Sequence, residues 1–229
     1  MYNVIQTPIF GIVVSVLAFS IGVYINKKTK NPFLNPLLIA IFLIVSLLLI
    51  TKITYEHYKI GADQINYFLS PITILLAVPL YKQFDLLKKH IVPILVGITV
   101  GVVVSFISVI LVCRFMGADN PILLSVVPKS ITTPMGISLT NIIGGIESIT
   151  IVSIVLTGIT GSIIAPTVFK ITKITNPIAK GIGIGTSSHA VGTSKAIEMG
   201  EAEGAMSGLS IGVSGLITVI LVPIQMKFL

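Results

Sequence analysis

Between Asn176 and Gly200 the chain reads NPIAKGIGIGTSSHAVGTSKAIEMG. Ser187, Ser188, His189, Thr193 and Lys195 fall there within nine positions, laced with glycine, in an otherwise strongly apolar sequence. A second polar interruption lies between Leu124 and Gly145, with Lys129, Ser130, Thr132, Thr133 and Asn141, and with Pro128 and Pro134 around its centre. Polar side chains and irregular backbone at membrane depth persist only where protein buries them or where they line a watery cavity, and charges there are rare and usually functional. A broken helix aims free amides and the positive end of its dipole at a point inside the membrane, which suits a small anion such as a carboxylate. Half-helices beginning near Met135 and near Val191 would supply those amides. Ser130, Thr132, Thr133, Ser187, Ser188 and Thr193 would add hydroxyl donors, Lys129 and Lys195 positive charge, and Asn141 a partner for a hydroxyl or keto oxygen. The ten residues form the expected substrate-binding set.

Each group has a plainer alternative. Serine and threonine also satisfy broken backbone and make close helix contacts. Lys129 could snorkel to an interface. Lys195 stands three residues before Glu198, a spacing that pairs them on a helix face. His189 titrates near neutrality, so it is a candidate proton carrier beside Glu147 and Glu198, or simply a neutral donor that shapes the loop. Glu147 opens the following span, where a helix dipole favours a carboxylate.

The elements that must position these groups follow from composition. The chain has 229 residues, 54% of them hydrophobic and 10% charged, with a mean hydropathy of +1.04. Soluble domains carry roughly 25% charged residues, so this is an integral membrane protein, all-α and polytopic. At about 20 residues per crossing there is room for about eight segments, read as about six spanning helices plus two broken or re-entrant ones, with a possible inverted repeat. Residues 1–229 are read as a single transmembrane domain, with N-terminal helices over 1–115 and the C-terminal part, 121–229, holding the polar segments 124–145 and 177–200.

In chain order, spans are expected over Ile5–Tyr24, Leu37–Ile50, Gln64–Leu80 (kinked near Pro71), Ile91–Val112, Ile146–Phe169 and Ala205–Pro223. NPFLNP at Asn31–Pro36 is a break and a helix start. Thr51–Asn66 is polar and expected outside or interfacial. The first apolar run is long and has its lysines after it, which fits a retained first helix rather than a secretory signal.

The net charge of +7 does not indicate nucleic acid, because the lysines sit in short loops without a basic stripe. If both polar segments cross fully, seven basic residues lie on each side; if both are hairpins, ten lie inside against Lys52, Lys59, Arg114 and Lys227 outside. Loop charge sets orientation, so hairpins entering from opposite faces and meeting near the midplane are preferred, with both termini outside.

Cys113 is the only cysteine, which leaves no disulfide framework and no cysteine metal cluster. No cofactor and no metal are called for. Walker, HExxH and GxSxG patterns are missing, and Ser187 or Ser188 beside His189 has no aspartate placed to orient the imidazole; the chain is not read as an enzyme.

Four stretches carry a resemblance to the LrgB/CidB family of bacterial membrane proteins, closer to its CidB-like branch: NPFLNPLLIA (Asn31–Ala40), AVPLYKQ (Ala77–Gln83), VPKSIT (Val127–Thr132) and GTSSHAVGTSKAIEMG (Gly185–Gly200). The resemblance implies a multi-pass protein of the bacterial plasma membrane and two functional pictures. One is a holin/antiholin-like regulator of murein hydrolase export, cell lysis and programmed cell death, working with a small LrgA/CidA-type membrane partner. The other is a carrier of small carboxylates, pyruvate for bacterial members and glycolate and glycerate for the plant plastid relative. The polar residues favour the carrier, with proton linkage through His189 as one form of it, since a lesion-forming protein has no need of two opposed breaks with lysine, histidine and hydroxyls. A homodimer is expected, because so short a chain leaves little scaffold around a moving core.

Overall fold

The computed structural model describes residues 5–29, 34–68, 71, 81–82 and 84–225. Every regular element among them is helical, as expected. The third expected span, over Gln64–Leu80, lies mostly outside the described residues. The structure forms two compact units, residues 1–75 and 76–229.

The first unit holds α1 (Pro8–Thr29), α2 (Pro36–Thr51) and α3 (Tyr55–Asn66). Asn35 caps α2 by accepting from Leu37 N at 2.8 Å, and Pro36 follows where its missing N–H costs nothing. The polar stretch before residue 66 is a helix of its own. It lies on α1, where Tyr58 Oη and Ser15 Oγ are 2.8 Å apart. The outer face of α2 exposes Phe42, Leu49 and Ile50, as a lipid-facing surface does.

The second unit begins with the short α4 (Phe84–Lys89) and continues with α5 (Ile91–Phe115). Next come α6 (Asn120–Val126), a 3₁₀ turn (Val127–Ser130) and α7 (Thr133–Ile143). The unit ends with α8 (Glu147–Ile171), α9 (Pro177–Met199) and α10 (Glu201–Gln225). Four of the described helices, α1, α5, α8 and α10, are long and apolar enough to cross a membrane. α5 belongs to the second unit. Its inward face, Ile94, Ile98, Val102, Phe106, Val109 and Cys113, repeats every three to four residues. The lower part joins Ala205 and Met206 of α10, and the upper part joins Leu123, Val127, Ile131 and Leu139.

Between lipid-exposed helices water supplies no driving force, so close approach of small residues does the work. The contact of α9 with α10 is of this kind. Gly185 lies against Ser207, where any Cβ would collide with the Ser207 carbonyl oxygen. Ser207, Ser210 and Ser214 are all buried along that face of α10.

Candidate functional site: two hairpin tips against one helix

The first polar segment is a hairpin. Pro128 follows α6 and tightens the chain into the 3₁₀ turn, and Ile131 and Thr132 are extended before α7 starts. The chain then returns: a Cβ on Gly145 would lie 3.0 Å from Ser125 N and 3.1 Å from Leu124 C. Hydroxyls hold the base of the hairpin. Ile146 N donates to Ser125 Oγ at 2.7 Å, and Thr150 Oγ1 donates to Ser125 O at 2.8 Å. With its proton committed, Thr150 Oγ1 accepts from Thr140 Oγ1 at 2.8 Å.

The second segment also reverses, and the turning residue is His189, with φ 42° and ψ −140° inside α9. A Cβ on Gly192 would sit 3.3 Å from the carbonyl oxygen of Ile184. In a straight helix those positions are about 12 Å apart along the axis. Residues 177–188 therefore run inward beside α10 and residues 190–199 run back. Gly181 meets Glu203 and Met206, and Gly185 meets Ser207 and Ser210, so the first arm is parallel to α10; Ile197 meets Gly204, so the second is antiparallel.

The tip is tied on both sides. A carbonyl can only accept, so His189 Nε2 carries a proton and donates to Ile154 O at 2.8 Å. Thr193 Oγ1 donates to His189 O at 3.0 Å, which leaves Ser207 Oγ to donate to Thr193 at 2.7 Å. The imidazole lies over Gly158, where a Cβ would come within 2.6 Å of its Cε1. Ser188 occupies the space a side chain on Gly161 would need.

Both hairpins pack along α8, from its opposite ends. The first meets its N-terminal part, with Thr140 at Thr150 and Gly136 at Ile154. The second meets its C-terminal part, with Gly183 beside Phe169 and Ser188 at Gly161. The tips converge along residues 154–161. Lys129, on the tip of the first hairpin, lines the same cavity as Ser187 and Ser188 on the second, with Thr157 and Thr160 of α8 beside them; its volume is about 540 Å³. Lys129 also faces a second cavity of about 300 Å³ on the α5 side, together with Ser105, Ser130 and Thr186.

Lys129 Nζ donates to Ser130 Oγ at 3.1 Å and Ser105 Oγ at 3.4 Å. The described ion pairs are Lys82 with Glu201 and Lys195 with Glu198, so no acidic side chain within ion-pair distance of Lys129 occurs among the described residues. The ammonium is thus half-buried and held by two neutral hydroxyls. Among the described residues no cluster of histidine, cysteine or acidic groups suits a metal.

Of the ten expected binding residues, the structure brings Lys129, Ser130, Ser187, Ser188 and His189 to the two tips. Thr193 is buried as the brace beneath His189. Thr132 and Thr133 form the cap and first turn of α7, half-buried at the first tip. Asn141 is at the hairpin base, exposed, and donates to Glu147 Oε1 at 2.5 Å. Lys195 pairs with Glu198 at 2.8 Å near the end of α9. These two pairs are apart from the tips, and so are the proton-carrier candidates Glu147 and Glu198. Sequence reasoning missed Ser105, Thr157, Gly158, Thr160, Gly161 and Thr186; the run TGITG in α8 was the available signal for most of them.

Comparison with known proteins matches the LrgB-like family over residues 15–228. The chain is 39% identical over 225 residues to the Antiholin-like protein LrgB of Bacillus cereus, covering 98% of both chains. The Antiholin-like protein LrgB of Bacillus anthracis matches with the same identity and coverage. No solved structure matches. The chain belongs to the LrgB-like family, as its polar motifs imply.

Proposed function

We propose that the chain is a carrier of small monocarboxylates, such as pyruvate or glycolate, across the bacterial plasma membrane, and that this is its molecular contribution to an antiholin-like system. The observation behind the carrier reading is Lys129, a cation without an acidic partner among the described residues, where two opposed hairpin tips meet beside a cavity. The ammonium would neutralise the carboxylate. Ser130 bonds the ammonium, and Ser187 and Ser188 line the same cavity and would add hydroxyls to it. Opposed broken helices around a central site are a recurring basis for alternating access. Here the two hairpins would rock against α8, with His189 as the group able to take up a proton alongside the solute. The end of the second unit that carries Lys88, Lys89, Lys170, Lys173, Lys180 and Lys195 would face the cytoplasm, by loop charge.

A second reading is supported more directly by the relatives' name: an antiholin-like regulator of murein hydrolase export and lysis, acting through an LrgA-type partner and moving no solute itself. The two part in one experiment. Purified protein in liposomes, alone and with the LrgA-type partner, is given labelled pyruvate, glycolate and neutral or cationic controls. The carrier predicts saturable carboxylate uptake that disappears in Lys129→Met. Uptake of nothing in either preparation, or equal leakage of every solute, would reject the carrier in favour of the regulator. A homodimer is part of the proposal, tested by the mass of the purified particle.

A further inference from the structure

The site cavity has two chemically distinct ends. Lys129 and the hydroxyls of Thr157, Thr160, Ser187 and Ser188 surround one, while Ile164, Ala165, Val168 and Phe169 line the other. From Gly161, which touches Ser188, to Phe169, which touches Gly183, the helix advances about 12 Å. The volume of about 540 Å³ exceeds what a two- or three-carbon acid fills, since a water's share of the liquid is only about 30 Å³, and the apolar end is open on its outer side, where Leu156, Ile164 and Val168 are exposed. Among the described residues Lys129 is the one charged side chain on its wall.

We infer that the site selects monocarboxylates with an apolar tail of several carbons, held with the carboxylate at Lys129 and the tail along α8 toward Phe169, and that it discriminates against dicarboxylates. This rests on the carrier reading and narrows it. One ammonium matches one carboxylate. A second carboxylate at the far end would have to give up its hydration against isoleucine and valine, with no donor to replace the lost water. An alkyl tail placed there leaves water for an apolar wall, which is favourable in proportion to the area covered.

The test is competition against labelled pyruvate uptake in proteoliposomes, at equal pH on both sides, with the unbranched acids from acetate to hexanoate and with succinate and glutarate. The half-inhibitory concentration should fall roughly two- to fourfold per added methylene. Each dicarboxylate should inhibit at least tenfold more weakly than the monocarboxylate of equal length. Phe169→Ala should reduce the ratio between butyrate and hexanoate toward one. A flat or rising series with pyruvate uptake intact would overturn the tail site and leave the carrier reading standing. Dicarboxylates that inhibit as well as monocarboxylates would overturn the charge rule in the same way. Absence of pyruvate uptake would overturn the carrier reading and this inference with it.

Discussion

Replacing Lys129 by methionine separates function from stability, because the two should move in opposite directions. In the wild type the ammonium is half-buried and bonded only to the hydroxyls of Ser130 and Ser105, at 3.1 and 3.4 Å. Two bonds from a charged donor to neutral hydroxyls contribute about 1.5–3 kcal/mol each at most. Against them stands the loss of hydration of a cation that no carboxylate among the described residues offsets, a cost of several kcal/mol where burial is complete. Methionine keeps the length and loses the charge, so folding should be unchanged or more stable by up to about 2 kcal/mol. Solute affinity should behave otherwise. A carboxylate about 4 Å from the ammonium gains roughly 4 kcal/mol at an effective dielectric of 20. Truncating one partner of a buried charge pair costs about 2–5 kcal/mol in practice. A loss of about 3 kcal/mol corresponds to roughly 150-fold in KM. Labelled pyruvate uptake in proteoliposomes measures the second quantity, and thermal unfolding of the same preparation in detergent measures the first. Lys129→Arg keeps the charge with a different shape and should recover part of the uptake. Wild-type KM in Lys129→Met would refute the assignment, and so would a destabilised protein whose lost uptake merely follows its lost fold.

Four further outcomes test the geometry. Thr193→Val removes the proton donated to His189 O and strands Ser207 Oγ, so it should destabilise by about 1–3 kcal/mol; in a double-mutant cycle with Ser207→Ala the two losses should not add. A Cβ on Gly101 would lie 3.7 Å from Thr186 Cβ, close to the mean for disulfides of about 3.8 Å. Gly101→Cys with Thr186→Cys should therefore oxidise readily, arrest uptake by pinning the second hairpin to α5, and regain it in reductant; a pair that never cross-links would contradict this packing. Glu147→Gln should leave carboxylate uptake within about twofold of wild type, since its partner Asn141 is exposed at the hairpin base; abolished uptake would move the site. His189→Ala keeps the positive φ and loses the bond to Ile154 O, while His189→Gly loses the bond and relieves the φ; glycine should be the more stable of the two in thermal unfolding.

The helical class and the two interruptions were legible because lysine, proline and clustered hydroxyls stand out in an apolar chain. Pro128 and Pro134 mark the first break within a few residues of its actual centre at Ile131–Thr132. The second break has no proline. Its glycines are spread over Gly181–Gly192, so composition announces an irregular stretch without saying that the chain turns back at His189. Asn141 shows how sequence proximity misleads. It is only nine residues from Thr132, yet α7 carries it about 12 Å from the tip. The scaffold side of the site was the least legible. Ser105 is one of two serines in a long apolar helix, and Thr157 to Gly161 lie in a segment whose hydropathy says only that it spans. Their relevance comes from which hairpin lands on them, and local sequence does not encode that.

The most informative residue is His189, a non-glycine with positive φ inside a helical segment, whereas Lys52 and Lys173 share a positive φ at helix ends. A left-handed φ outside glycine costs on the order of 1–3 kcal/mol and persists only where the surroundings over-determine it. The segment GIGIGTSSHAVG is rich in glycine, and glycine would adopt this turn without a side-chain clash. A histidine stands at the turn instead, so the imidazole must do something a glycine cannot. One task is structural: Nε2–H bonds the Ile154 carbonyl at the level of α8 where the first hairpin also packs, through Gly136 on Ile154. The turn of one hairpin is thereby tied to the residue against which the other rests. A rigid anchor would need nothing further, and a protein that only had to stay folded would gain from avoiding the strain. The strained imidazole is next in sequence to Ser188, and Ser188 shares a cavity with Lys129. On the carrier reading proposed above, strain held where the two hairpins meet, beside Lys129, serves a site that changes state with its ligand.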